Sequence, residues 1–219
     1  MAQPIADPRA FILEHTRRQR PPHTPELELH LADEVTPIWR LTEEALAEIG
    51  LPPPFWAFAW AGGQALARYV LDHPDIVAGR AVIDFASGSG IVALAAARAG
   101  AARVLAADID PFCGAALALN AEANGLAADF TDSDLLDAPA PAWAEVILAG
   151  DICYEKPLAD RVMAWLGEAR SQGATVLIGD PGRSYFPRTG LTKLAEYQVP
   201  TPRELEDQEV KRTAVWALL

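Results

Sequence analysis

Residues 82–110, VIDFASGSGIVALAAARAGAARVLAADID, decide the fold. An apolar run, Val82-Ile83, ends at Asp84 and turns through Ser87-Gly88-Ser89-Gly90 into an Ala-rich helical segment. A second apolar run, Val104-Leu105-Ala106-Ala107, closes on Asp108. Strand, glycine turn, helix, strand and acid form a nucleoside-binding βαβ unit. Glycines let backbone N–H groups approach a ligand where a Cβ would collide, and an acid ending the second strand can hold a ribose diol.

Two cofactors compete for this pattern. Gly88-Ser-Gly90-Ile-Val-Ala93 satisfies the dinucleotide rule G-x-G-x-x-G/A, with Asp108 about 20 residues on. Asp84 argues against NAD, because a carboxylate at the mouth of the first strand would repel a pyrophosphate and suits a ligand carrying a free ammonium. S-adenosylmethionine carries one in its methionine part. The chain has neither a Tyr-x-x-x-Lys pair nor a G-x-x-x-x-G-K-[ST] loop. The residues favour S-adenosylmethionine and leave NAD as the alternative.

Outward from this unit the chain alternates. Strands are expected at 81–85, 103–107, 128–131, 145–150 and 174–179, with helices over 90–99, 111–123 and 156–170. That alternation predicts an α/β fold, a Rossmann-like doubly wound and mostly parallel sheet. Tyr197–Val199 and Thr213–Leu218 read as strands with no helix between them, so the sheet gains an antiparallel C-terminal hairpin and reaches seven strands. Upstream, a helix over 8–20 stops at Pro21-Pro22, residues 27–31 alternate like a strand, a short helix opens at Thr42, and another covers 65–72.

Composition excludes several classes. The 219 residues are 51% hydrophobic, too apolar for a disordered chain. No apolar run approaches the roughly 18 residues of a membrane span. Phe11-Ile12-Leu13 is too short for the core of a signal peptide, and Arg17, Arg18 and Arg20 follow it rather than precede it. Only Cys113 and Cys153 occur, and the four histidines, His15, His23, His30 and His73, lack ligand spacing. A metal-free cytoplasmic protein is expected. A net charge of −12 disfavours nucleic acid, whose partners carry a basic face, and suits a basic protein segment instead.

Four blocks make a family resemblance specific. They are PFWAFAWAGGQAL at 54–66, DFASGSG at 84–90, Ala107-Asp108-Ile109-Asp110-Pro111 leading to Asn120 and Asn124-Gly125, and Gly150-Asp151-Ile-Cys-Tyr154-Glu155. Together they resemble the bacterial branch of the electron-transfer flavoprotein β-subunit lysine methyltransferase family, over about residues 27–219. The glycine turn is common to class I methyltransferases, whereas the first and last blocks discriminate. One departure is Ala86, which stands where the usual turn has its first glycine.

The resemblance implies a seven-β-strand protein methyltransferase: an N-terminal extension or substrate cap at 1–60 and a class I methyltransferase domain at 61–219. It implies S-adenosylmethionine as cofactor and the flavoprotein β-subunit, through a basic lysine-bearing segment, as substrate. Another protein such as a ribosomal one, a small molecule, or a non-catalytic interaction role are the alternatives. On the cofactor side Asp84 would face the methionine ammonium, directly or through water, and Ala86, Gly88 and Gly90 would form the turn. Asp108 would hold the ribose hydroxyls, Asp134 would sit near the adenine amino group, and Ile109 and Leu135 beside them would also bind the cofactor. Asp110 reads as a helix N-cap. Asp151 and Tyr154 follow the fourth strand and are the candidate catalytic pair, Asp151 orienting the acceptor amine ahead of any role as a base. Trp56, Phe58 and Trp60 form an i, i+2, i+4 stripe that would face one way on an extended segment; Trp56, Trp60 and Gln64 are the candidate substrate contacts, the tryptophans as a channel wall for the lysine stem.

Overall fold

A computed structural model describes residues 7–33, 38, 53–201 and 210–219, so the helix expected at Thr42 lies outside the described residues. The chain opens with α1 (Pro8–His15), capped by the Asp7 carboxylate on the Ala10 N–H at 3.0 Å. This helix is shorter than its sequence suggests. Thr16 turns its hydroxyl back onto the Ile12 carbonyl at 2.6 Å and the chain extends. Arg17–Gln19 (β1) then pair antiparallel with Leu29–Leu31 (β2), and this ladder supplies the backbone bonds that a longer helix would have made.

A one-turn 3₁₀ helix at Phe55–Ala57 leads into α2 (Ala61–Asp72), four residues longer at its start than periodicity alone indicates. The main alternation follows: β3 (Ala81–Phe85), α3 (Ile91–Arg98), β4 (Arg103–Ala107), α4 (Pro111–Asn124), β5 (Asp129–Thr131), β6 (Val146–Gly150), α5 (Lys156–Ser171) and β7 (Thr175–Asp180). The tail is a hairpin of two long strands, β8 (Leu191–Pro200) and β9 (Val210–Leu218). The seven-stranded sheet has the order β5-β4-β3-β6-β7-β9-β8. Its first five strands are parallel, and β9 enters antiparallel to β7. The expected sheet is therefore present, with a hairpin longer than expected because polar outward positions hide most of β8 from a hydropathy reading.

Period-two alternation sorts the core onto two faces. Ile83, Ile147 and Val176 stand in register and pack with Val162 and Leu166 of α5. Leu148 and Leu177, also paired, face the other way with Leu66 and Val70 of α2 and Leu94 of α3. Full burial of each such side chain contributes about 1.5–3 kcal/mol, which fixes the register. Sheet order reverses direction around β3, so the C-terminal ends of β3, β4 and β6 open a crevice.

Candidate active site

That crevice is a cavity of about 560 Å³. Its cofactor-side wall is the turn after β3. Ala86, Gly88 and Gly90 all have positive φ, at 56°, 49° and 77°. Alanine tolerates this left-handed geometry at a cost of about 1–2 kcal/mol, which explains the glycine usual at position 86. Gly88 lines the cavity, and a Cβ there would come 3.5 Å from the Phe55 carbonyl, so any longer side chain would fill the space between turn and 3₁₀ helix. Gly90 serves packing instead: a Cβ would strike Leu117 at 2.5 Å, and the residue is not part of the lining.

Asp108, at the end of β4, accepts from the Gly88 N–H at 2.9 Å and the Asp110 N–H at 3.1 Å. One bond to each oxygen aims the carboxylate into the cavity with lone pairs to spare for a diol. Ile109 beside it is 73% exposed on the cavity wall, an apolar flank for a flat ring. Asp134 caps the one-turn helix Leu135–Asp137 through the Leu136 N–H at 2.9 Å and lies 3.4 Å from Arg161. Leu135 opens that helix, so its amide has no acceptor within it. Asp110 caps α4 on the Phe112 N–H, as its position before Pro111 suggests.

Asp84 departs from its expected place. It lies beneath the turn, 2% exposed, with one oxygen on the Ala93 N–H at 2.8 Å, and it does not line the cavity. Burial pushes its carboxyl up to about 8, opposed by the Ala93 hydrogen bond and assisted by the Asp108 charge. The folded protein thus holds this proton well above the range in which the unfolded chain releases it. Between those two pKa values the unfolded state binds fewer protons, so stability falls as pH rises. Asp84→Asn removes that slope, and its stability relative to wild type is expected to improve from about pH 5 to about pH 8. Urea denaturation at both pH values checks this; a difference that does not change with pH contradicts it.

The other end of the cavity is built around Asp151. This residue has φ +58° directly after β6 and stands against the start of α2, where Oδ2 accepts the Gly63 N–H at 3.0 Å. Its Oδ1 accepts from the Arg183 guanidinium at 2.8 Å. Gly62, Gly63, Gly150 and Gly179 make this approach possible, since a Cβ on Gly62 would lie 2.6 Å from the Asp151 carboxylate. Trp60, Phe55 and Tyr154 complete the wall. The Trp60 indole N–H donates to the Phe55 carbonyl at 3.0 Å, and the Phe55 ring lies 5.7 Å from both Trp60 and Tyr154. Burial, then the charges of Glu155 and Asp108, hold the Tyr154 phenol above its ordinary pKa, so it stays a donor.

The aromatic stripe does not form a common face. The 3₁₀ turn at 55–57 rotates Trp56 into the core, 1% exposed and stacked 5.8 Å from Phe112, while Trp60 alone of the three reaches the cavity. Gln64 is buried on α2 with its amide on the Ala59 carbonyl at 2.7 Å and lies outside the lining. Sequence reading missed Phe55, Arg161 and Arg183. The signal for Arg183 was present, because Asp180-Pro-Gly-Arg183 follows a parallel strand on the same edge that singles out Asp151.

Comparison with known proteins decides the family. The chain is 41% identical over 216 residues to the electron transfer flavoprotein beta subunit lysine methyltransferase of Xenopus laevis, covering 96% of this chain and 86% of that protein. It belongs to this methyltransferase family. The Homo sapiens member is 39% identical over 199 residues, 88% of this chain and 74% of its own length. Residues 64–163 match the family model of ribosomal protein L11 methyltransferase (PrmA). Among solved structures, magnesium protoporphyrin IX methyltransferase from Synechocystis PCC 6803 with bound S-adenosylmethionine shares the fold, with a TM-score of 0.51 at 16% identity over 72% of this chain and 78% of its own. The ribosomal protein L11 methylase of Lactobacillus delbrueckii subsp. bulgaricus superposes with a TM-score of 0.50 at 21% identity, over 70% of this chain and 76% of its own. The family resemblance and the class I fold read from the sequence are both borne out.

Proposed function

We propose that this family member transfers the methyl group of S-adenosylmethionine to lysine side chains of the electron transfer flavoprotein β-subunit. The observation that carries the reading is one cavity with a diol-binding acid, Asp108, at one end and an aromatic-walled carboxylate, Asp151, at the other. The cofactor fits the residues present: the Gly88 face is bare where a side chain would fill the cradle, and the volume lies in the range of cofactor sites. When bound, S-adenosylmethionine supplies an electrophilic methyl group on a sulfonium.

Asp108 would hold the ribose hydroxyls, Asp134 and the Leu135 amide would serve the adenine edge, and Ile109 would flank the ring. Asp84, beneath the turn and outside the cavity lining, would serve the methionine end by holding that turn against the start of α3 through the Ala93 N–H. At the acceptor end, Trp60, Phe55 and Tyr154 exclude water from the lysine stem, and Asp151 orients Nζ. The acceptor must be the neutral amine, because an ammonium has no lone pair; a lysine in water has a pKa of about 10.4, and desolvation between the rings lowers it. The division into a substrate cap, residues 1–60, over a methyltransferase core, residues 61–219, belongs to the same reading.

A net charge of −12 favours encounter with a basic lysine-bearing segment. Among the described residues no helix is long and apolar enough to cross a membrane, and no group of side chains is arranged to hold a metal. We assign the protein to the cytoplasm, a setting with which its two free cysteines agree. The test mixes purified enzyme, S-adenosylmethionine and the β-subunit of the same organism, then maps modified residues by mass spectrometry. Methylated β-subunit lysines are expected. A β-subunit left unlabelled while another protein in lysate is methylated removes the substrate assignment.

A further inference from the structure

Asp151 poses a problem for the chemistry it serves. A lone carboxylate beside the acceptor nitrogen attracts the proton that must leave, raising the lysine pKa when it should fall. The residue that answers this is Arg183. Its guanidinium donates to Asp151 Oδ1 at 2.8 Å and sits 5.8 Å from the Trp60 ring centre, on the cavity wall. Its backbone is fixed as firmly: Asp180, buried at the end of β7, accepts the Gly182 N–H at 2.6 Å and the Arg183 N–H at 2.8 Å on one oxygen. The Tyr185 N–H then ties the loop to the Cys153 carbonyl at 3.3 Å.

We propose that Arg183 is a positioning and charge-setting residue for methyl transfer: it balances Asp151, so that the carboxylate aligns the acceptor amine without holding it as an ammonium. This rests on the lysine-methyltransferase reading above. Two positive groups then share one carboxylate, and a cation beside an amine disfavours the amine's protonation, the device by which a lysine is activated next to a second cation. The Arg183 guanidinium stays charged throughout, because it cannot deprotonate in a protein. The step it serves balances simply. The ammonium first gives its proton to solvent; the Nζ lone pair then forms the N–C bond to the methyl while the C–S bond breaks and its electrons stay on sulfur.

Other charged and titratable groups face this pair from each packed element. Asp180 comes from β7, Cys153, Tyr154 and Glu155 follow β6, Asp108 lies across the cavity, and α2 presents its N-terminal amides. Burial and the Asp151 charge push the Asp180 carboxyl up to about 6, while its bonds to the loop amides oppose this. Burial first, then the carboxylates of Asp180 and Asp151, pushes the Cys153 thiol up to about 12. Neither crosses its pKa between about pH 7 and 10; Asp84, beneath the turn, does so at about 8 in wild type and in both variants alike, so the difference between their profiles reports the acceptor lysine.

The experiment measures single-turnover rates of methyl transfer to the β-subunit from about pH 7 to 10 for wild type, Arg183→Met and Arg183→Lys, with cofactor affinity by calorimetry as the control for folding. For Arg183→Met the rise in rate is expected to move at least about one unit to higher pH, a loss of on the order of tenfold near neutrality that closes at high pH. Arg183→Lys restores the wild-type midpoint, and cofactor affinity is unchanged in both. A rate lowered by the same factor at every pH, or a profile identical to wild type, overturns the inference while leaving the lysine-methyltransferase reading in place. A wild type that labels no β-subunit lysine at any pH overturns that reading, and this inference with it.

Discussion

Asp151→Ala is expected to lower methyl-transfer turnover about 100-fold or more while cofactor affinity stays within about threefold. The carboxylate accepts from the Gly63 N–H and the Arg183 guanidinium, and both belong to the acceptor end of the cavity. Removing it takes the carboxylate that Arg183 donates to from the place where a cationic lysine must first dock, so alignment and encounter suffer together. It also takes an acceptor from the start of α2, a loss of about 0.5–2 kcal/mol of stability. Asp151→Asn separates the two effects. Asparagine tolerates the left-handed φ of +58° and keeps an oxygen for the Gly63 N–H, so it folds near wild-type stability. Without the charge it cannot balance Arg183, and turnover is expected to fall nearly as far as for alanine. Single-turnover kinetics with calorimetry at saturating cofactor distinguishes the outcomes; lost cofactor binding with normal turnover at saturation would move Asp151 to the cofactor's shell.

The sheet was legible because its signal is local. Val82-Ile83, Val104–Ala107 and Val146–Ala149 are short apolar runs between turn residues, and a parallel sheet buried on both faces needs nothing subtler. Positive φ at Gly88 and Gly90, the aim of Asp108 and the cap at Asp110 also follow from residue type at a given offset. What failed was whatever depended on the rotation of a side chain. Trp56 and Trp60 share a period-two stripe only if the segment is extended, and a single 3₁₀ turn sends them to different environments. Asp84 reads as a cofactor-facing acid from its place at the mouth of the first strand, and the structure puts its carboxylate beneath the turn on the Ala93 N–H. Arg183 escaped because its partner is 32 residues away, and a long-range ion pair leaves no mark in local pattern. Long-range charge compensation is the part of an active site that single-chain periodicity cannot carry.

The same substitution at two glycines is expected to change stability in opposite directions. Gly167 lies on the exposed face of α5 with no atom within 4 Å of an added Cβ, so Gly167→Ala should stabilise by up to about 1 kcal/mol through backbone entropy alone. Gly62 is also helical, near the start of α2, and by propensity would gain as much. Its surroundings reverse the sign. A Cβ there would overlap the Gly179 carbonyl oxygen and lie 2.6 Å from Asp151 Oδ2, while Gly150 across the way would meet Gly63 Cα at 2.9 Å. Backbone from α2, β6 and β7 meets at this point, and none of it is the movable end of a side chain. Overpacking of this kind costs about 1–3 kcal/mol before any gain in propensity is counted. Relief requires α2 to withdraw from the strand ends, which draws the Gly63 N–H away from Asp151. Gly62→Ala is therefore expected to destabilise by about 1–2 kcal/mol and to lower turnover in the protein that remains folded. Urea denaturation of both variants, with turnover measured well below the transition, checks the pair. If Gly62→Ala proved as stable and active as Gly167→Ala, the close seating of α2 on the strand ends would not be what holds Asp151 in place.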